Sequence, residues 1–255
     1  LIQSLTPEGV AVLGSYDPFT PAMASLHTGR TINFGDHQEV RAADIEIREG
    51  RPHFDLVTPA GRDAVGMRVV GAHQISNALA VAAVGTALEL PIELIASSLS
   101  TAESASKWRM QIDEVDDLLI INDSYNANPE SMKAALDSLV LFAQERGGAS
   151  WAFLGQMHEL GPQSNALHAS VAAHAHELGI DHLVSVGTRA FADGIPAMSP
   201  TTLHYCEDIE QALSLVSHCA PGDVVLVKAS RSEHFEILNQ GIEDSWKEMR
   251  REDKK

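Results

Sequence analysis

The sequence predicts an α/β protein, with a strand-rich first part followed by a mostly parallel sheet carrying helices on both faces. Three observations lead there. From about Lys107 onward, short apolar runs alternate with helical stretches, the rhythm that builds parallel sheets. Residues 1 to about 70 instead hold closely spaced strand-like segments divided by turn residues. Between them in kind, the apolar run Leu118-Leu119-Ile120-Ile121 passes straight into Asp123-Ser124-Tyr125-Asn126-Ala127-Asn128-Pro129-Glu130, a polar segment that opens a helix.

Taken in order, Leu1–Leu5 reads as the tail of a helix, and a chain that starts on Leu in this way is expected to be a piece of a longer protein. Strands are predicted at Val10–Leu13, at Thr31–Phe34 before a glycine, and at Asp44–Ile47, whose residues alternate. Glu49-Gly50-Arg51 is a hairpin turn into His53–Val57. Pro59-Ala60-Gly61 turns again into a strand expected to run through Val65 to Val70. An Ala-rich helix from His73 to about Leu88 ends at Leu90-Pro91, and Ile92–Leu99 forms a second. Thr101–Ser106 is small and polar, which predicts a hinge over about 101–109. Beyond it, strands fall at Met110–Val115, Leu118–Asn122, Trp151–Leu154, Leu183–Val186 and Val224–Val227. Helices fall at about Pro129–Glu145, Asn165–Leu178, Asp208–His218 and Glu233–Arg250. Lys247–Lys255 is a charge run, expected to be a frayed, solvated end.

Composition narrows the function. A net charge of −17, from 18 basic and 35 acidic residues, argues against a nucleic-acid surface or an anionic membrane as partner. No apolar run approaches a transmembrane span, and no start reads as a signal peptide. Cys206 and Cys219 are too few for a disulfide framework. His168, His174 and His176 share a helix at spacings that do not converge on one face, so helix packing or surface exposure is expected rather than metal binding. There is no Gly-x-x-x-x-Gly-Lys-Ser/Thr loop for a triphosphate and no Gly-x-Ser-x-Gly elbow.

What remains is a set of strand ends. Asn128 suits the N-cap of the helix at Pro129, and Glu130 places negative charge in its first turn. Leu154 leads into Gly155-Gln156-Met157-His158-Glu159-Leu160-Gly161, Val186 into Gly187-Thr188-Arg189, and Val227 into Lys228-Ala229-Ser230-Arg231. In a parallel sheet these polar ends share one edge, where open α/β sheets bind ligands. Lys228 and Arg231 have a plainer reading as salt-bridge formers.

The order of these landmarks resembles the Mur ligase family, and within it the branch that adds D-Ala-D-Ala. The resemblance rests on Gly71-Ala72-His73-Gln74-Ile75-Ser76-Asn77, on Asp123-Ser124-Tyr125-Asn126-Ala127-Asn128-Pro129, on Leu154-Gly155-Gln156-Met157-His158-Glu159, and on Val227-Lys228-Ala229-Ser230-Arg231. It implies the end of a central ATP-binding domain over residues 1–106 and a Rossmann-like C-terminal domain over 107–255. It implies a cytoplasmic, ATP-dependent ligase acting on UDP-N-acetylmuramoyl-tripeptide and D-Ala-D-Ala in peptidoglycan synthesis, monomeric at full length, and inactive as this fragment alone. ATP and Mg²⁺ are the implied cofactors, with the phosphate loop and magnesium ligands upstream of Leu1 and no catalytic residue or metal ligand assigned within the chain. The implied nucleotide-binding residues are His73, Asn77, Arg109, Asp123, Tyr125 and Asn126, with Asp123 accepting from ribose hydroxyls. The implied substrate-facing residues are Asn128, Glu159, Lys228, Ser230 and Arg231. Several positions depart from the family pattern. Gln74 stands for a usual Asn, Gln156 for a usual Asp, and Ala229 for a usual Gly; Lys107-Trp108 stands for Pro-Gly before Arg109, and Gly14-Ser15-Tyr16-Asp17 keeps only the Asp of an Asn-x-Asp-Asp. These departures also suit a non-catalytic homologue that keeps a binding surface. A sister ligase adding another amino acid is the third reading, against which Tyr125-Asn126-Ala127-Asn128 stands.

Overall fold

In the computed structural model, which describes residues 1–103 and 107–252, the chain divides into two units, Leu1–Glu103 and Ser104–Lys255. In the first, β1 (Val10–Gly14) and β2 (Arg30–Phe34) form a parallel pair. β3 (Arg41–Arg48), β4 (Arg51–Thr58) and β5 (Gly61–Gly66) form an antiparallel meander. Glu49 and Gly50 both take positive φ, as the two-residue turn between β3 and β4 requires. Along β4 every second residue is buried, and Phe54 and Leu56 pack with Ile32, Leu79 and Ala82. Leu79 and Ala82 belong to α1 (Gln74–Ala87), and α2 (Ile92–Thr101) adds Ile95 and Leu99 to the same core.

Two expectations for this unit are corrected. The strand after Gly61 stops at Gly66 and does not reach Val70. Met67 still donates to the Pro52 carbonyl (2.9 Å), but proline has no N–H to return, so the ladder ends. The tail of a helix expected over Leu1–Leu5 is a single 3₁₀ turn at Ile2–Ser4.

The second unit is a six-stranded sheet. Its strands are β6 (Gln111–Val115), β7 (Leu118–Asn122), β8 (Ser150–Leu154), β9 (His182–Val186), β10 (Thr202–Cys206) and β11 (Val224–Lys228), in the spatial order β10-β9-β8-β11-β7-β6. All pair in parallel except β6, which runs antiparallel along β7. β7, β8 and β11 are buried at every position, as central strands covered on both faces must be. The helices are α3 (Pro129–Arg146), α4 (Ser164–Leu178), α5 (Ile209–Ser214) and α6 (Phe235–Glu252). Leu118, Ile120, Trp151, Phe153, Val225 and Val227 share one core with Ala212 of α5 and with Phe235, Leu238, Ile242 and Trp246 of α6. Their alternates along the strands point to the other face, where α3 and α4 pack on each other.

The mostly parallel α/β architecture is as expected, with three differences in this unit. β10 is an edge strand whose Thr202–Cys206 carries too few apolar residues to announce itself. The helix expected over Asp208–His218 is α5 followed by a 3₁₀ turn at Leu215–His218. The charge run from Lys247 continues α6 to Glu252 and is not frayed there: Arg250 pairs with Asp117 at 2.6 Å and Lys247 with Glu243 at 3.3 Å, while Trp246 donates to Asp117 at 3.2 Å. Residues 253–255 of that run lie outside the described residues. So do Ser104–Ser106, the middle of the expected hinge.

Candidate functional site

Topology fixes where a site can form in the second unit. The chain leaving β7 and β8 goes to α3 and α4, whereas that leaving β11 goes to α6 on the opposite face. β11 lies between β8 and β7, so its C-terminal end is flanked on both sides by strands that depart the other way. Crevices at such reversals are the ligand sites of open α/β sheets.

The β7–β11 crevice holds Asp123 and Lys228. The strand register pairs Val227 with Asn122, and the Asp123 N–H donates to the Val227 carbonyl at 2.9 Å, which carries the ladder one residue further. Asp123 and Lys228 are therefore cross-strand neighbours on the face covered by α3. The Lys228 Nζ lies 2.5 Å from Asp123 Oδ2 and donates to the Asn126 carbonyl at 2.8 Å. Lys228 is 1% exposed. Burial pushes its ammonium below the usual lysine range, the Asp123 carboxylate pulls it back up, and the charge of Arg109 adds to the lowering. The second carboxylate oxygen of Asp123 accepts the Met110 N–H at 3.0 Å.

That bond draws in the segment before β6. Trp108 and Met110 both take positive φ, 63° and 47°, and the Tyr125 N–H donates to the Trp108 carbonyl at 3.0 Å. Arg109, between them, lies over the Tyr125 ring at 4.1 Å from its centroid. Trp108 in turn carries the Arg231 guanidinium on its face at 4.6 Å, and Arg231 pairs with Glu236 at 2.8 Å. The exposed Asn126 turns its side-chain oxygen to the Ala127 N–H at 2.9 Å. Asn128 forms a capping box with Ser131 at the head of α3, so its side chain is engaged by the helix.

The β11–β8 crevice is tied by Ser230. Its N–H donates to the Gln156 carbonyl at 3.1 Å and its hydroxyl oxygen accepts the His158 N–H at 2.9 Å. His158 meets Glu233 at 2.5 Å, and Glu159 is exposed with a φ of 63°. A cavity of about 430 Å³ opens one strand further on, between Gly187, Glu207, Asp208, Glu233 and Phe235.

His73 and Asn77 belong to the first unit. His73 is the N-cap residue of α1, and Gln74 bridges it to Asn77, with contacts of 3.2 Å to the His73 ring and 3.0 Å to the Asn77 amide. Gly71 precedes them at a φ of 106°, and a Cβ there would lie 2.4 Å from the His73 ring. Asp17, the one Asp kept from the family's Asn-x-Asp-Asp, caps its own turn by accepting from the Phe19 and Thr20 amides and the Thr20 hydroxyl, which hold its carboxyl below the usual range.

The structure thus gathers Arg109, Asp123, Tyr125, Asn126 and Lys228 in one cluster and Ser230, Arg231 and Glu159 along the adjoining loops. Sequence reasoning missed Trp108, which joins the two groups; it expected helix packing or surface exposure for His168 but not the hold of that ring on the loop after β8. The His168 ring is fully buried, accepts the Met157 N–H at Nε2 (2.9 Å) and bonds the Ser164 carbonyl through Nδ1 (2.7 Å). It is a packing histidine that also pins the loop after β8. Its place on the buried stripe with Val171, Ala172 and Ala175 was the available signal.

Comparison with known proteins identifies the family and the fold. Residues 1–85 match the family model of the Mur ligase middle domain, and residues 108–231 match that of the Mur ligase glutamate ligase domain. A UDP-N-acetylmuramoyl-tripeptide–D-alanyl-D-alanine ligase of Mycobacterium tuberculosis is 35% identical over 259 residues, covering 91% of this chain and 50% of the relative. The Escherichia coli ligase of the same name is 30% identical, covering 82% and 45%. The chain spans about half the length of the curated relatives it matches. A crystal structure of MurF from Acinetobacter baumannii superposes with a TM-score of 0.85 at 29% identity, over 95% of this chain and 53% of that one. MurF from Thermotoga maritima in complex with ADP shares the fold, with a TM-score of 0.81 at 23% identity over 97% and 56%.

Proposed function

Because the chain belongs to the Mur ligase family, we propose that it forms the later part of the middle domain and the C-terminal domain of an ATP-dependent ligase adding D-Ala-D-Ala to UDP-N-acetylmuramoyl-tripeptide. The observation that carries the reading is the Asp123–Asn128 loop. It stands at the reversal point of the sheet in a chain whose Mycobacterium tuberculosis and Escherichia coli relatives, 35% and 30% identical, bear that ligase's name.

The cluster fits a nucleotide. Arg109 offers an exposed cation beside the exposed Tyr125 ring, and Asp123 keeps 13% of its side chain open to accept a hydroxyl. Arg109 and Asp123 would hold the phosphates and ribose, with Tyr125 and Asn126 alongside. His73 and Asn77 are the residues we assign to the adenine side. When bound, ATP supplies the phosphoryl group that activates the peptide carboxylate for attack by the dipeptide amine.

The remaining residues position and neutralise. Arg231, braced by Trp108 and Glu236, presents a guanidinium edge that suits a carboxylate. Ser230 and Glu159 set the backbone and charge of the adjoining loop. Holding two reactants in line in a water-poor crevice is the main contribution such a site makes. We assign the magnesium ligands to the part of the ligase outside this chain, which spans 50% of its Mycobacterium tuberculosis relative. No described helix is long and apolar enough to cross a membrane. We take the complete ligase to be cytoplasmic and monomeric.

The test is phosphate release by this chain alone and by a complete ligase containing it, each given ATP, the UDP-linked tripeptide and D-Ala-D-Ala. The complete ligase is expected to depend on all three and the 255-residue chain to show none. Release by the chain alone, or a complete ligase indifferent to D-Ala-D-Ala, would overturn the reading.

A further inference from the structure

A lysine at the end of β11, in a loop expected to face substrate, ought to show its ammonium to solvent. Lys228 does the reverse. Its three donor directions go to Asp123 Oδ2 at 2.5 Å, the Asn126 carbonyl at 2.8 Å and the Asp123 carbonyl at 3.5 Å. A fully made set of bonds on a 1% exposed side chain leaves no donor for a ligand.

Its influence passes outward through Asp123. One oxygen of that carboxylate meets the lysine and the other takes the Met110 N–H. Met110 and Trp108 sit in the left-handed region, a conformation that costs a side-chain-bearing residue energy and persists only where surroundings hold it. The holding contacts are the Met110–Asp123 bond and the Tyr125–Trp108 bond. Arg109 is the residue between the two strained positions, and Tyr125 is the ring beneath it. Lys228 also grips the Asn126 carbonyl directly, one residue beyond Tyr125. Both partners of the Arg109–Tyr125 stack are thereby fastened to one buried charge.

We infer that Lys228 is a positioning residue, which sets Arg109 and Tyr125 for the nucleotide by clamping Asp123 and the Asn126 carbonyl, and touches no ligand itself. The inference rests on the nucleotide role proposed above for Arg109. It joins two residues that resemblance assigned to different ligands, since Asp123 and Lys228 act as one unit.

Lys228→Met tests it with two readouts. In the full 255-residue chain, hydrogen exchange at the Met110 and Tyr125 amides is expected to speed up by about tenfold or more, while β8 and β9 amides keep their protection. In the complete ligase, the KM for ATP is expected to rise about tenfold with the KM for D-Ala-D-Ala within about twofold. If a lone buried carboxylate stops that variant folding, Lys228→Met with Asp123→Asn removes the unpaired charge, and the Tyr125 amide is read in the same way. Unchanged protection at both amides overturns the inference whatever the kinetics. A selective rise in the KM for D-Ala-D-Ala also overturns it, by making Lys228 a substrate contact. Loss of protection with an unchanged KM for ATP upholds the clamp and removes the nucleotide role of Arg109.

Discussion

Replacing His168 by leucine asks how much one buried ring holds the loop after β8. With Nε2 accepting the Met157 N–H and Nδ1 facing the Ser164 carbonyl, the ring carries its proton on Nδ1 and is neutral. His168→Leu leaves the Met157 amide buried without an acceptor, at about 1–3 kcal/mol. The Ser164 carbonyl keeps its helical donor, so its loss adds little. The edge contact of the ring on Phe191, 5.0 Å between centroids, adds about 0.5–1 kcal/mol. The expected destabilisation is about 2–3 kcal/mol, or a urea midpoint lower by about 1 M. All three tryptophans lie in the second unit, so tryptophan fluorescence reports that unit. The pH dependence provides a second signature. Burial lowers the pKa of His168 from its ordinary value of 6.5, so between the folded and unfolded values the unfolded chain binds the extra proton. Stability from this group is present above pH 6.5 and lost as pH falls through the folded pKa. Burial lowers His182 and His204 as well, so near neutral pH the wild-type chain loses stability on acidification through these three histidines and the variant through two of them. The difference is at most about 1.4 kcal/mol per pH unit. A variant within about 0.5 kcal/mol of wild type at neutral pH, or one with an equally steep acid limb, would refute the assignment.

Substitutions at three further positions probe the frame of the sheet and its loops. Asp223 is 4% exposed and accepts from the Ala149 and Ala220 amides and the Trp151 indole, so Asp223→Ala should cost about 3–5 kcal/mol in urea unfolding and shift the Trp151 emission. Asn128→Ala removes the side-chain half of the α3 capping box and should cost about 1 kcal/mol, whereas Asn128→Ser should cost much less. At Trp108 the usual order of alanine over glycine should invert. Both variants lose the Arg231 stack, worth about 0.5–1 kcal/mol, but only glycine relieves the positive φ, so thermal unfolding should find Trp108→Gly the more stable.

The sequence made the second unit legible wherever local pattern decides structure. Leu118–Ile121 and Val224–Val227 are unbroken apolar runs because both their faces are covered, and Asn128-Pro129-Glu130 carries the start of α3 in three residues. It was silent where neighbours decide. β10 is held by pairing with β9 and has little apolar signal of its own. The charge run at the end looked solvated because Asp117, which receives Trp246 and Arg250, lies more than a hundred residues earlier.

Asp123 and Lys228 show the same limit at the site. Each is visible as a polar residue after a buried strand, and resemblance gave one to nucleotide and the other to substrate. Their pairing depends on β11 crossing back to lie beside β7, a fact of strand order that no local window contains. Once that order is known, register and side-chain alternation place the two on one face, and the low dielectric makes separating them expensive. Removing one partner of such a buried pair costs about 3–5 kcal/mol, more than an exposed ligand contact is worth to the fold. A residue this costly to disturb and this inaccessible is better suited to fixing the shape of a binding rim than to meeting what binds there.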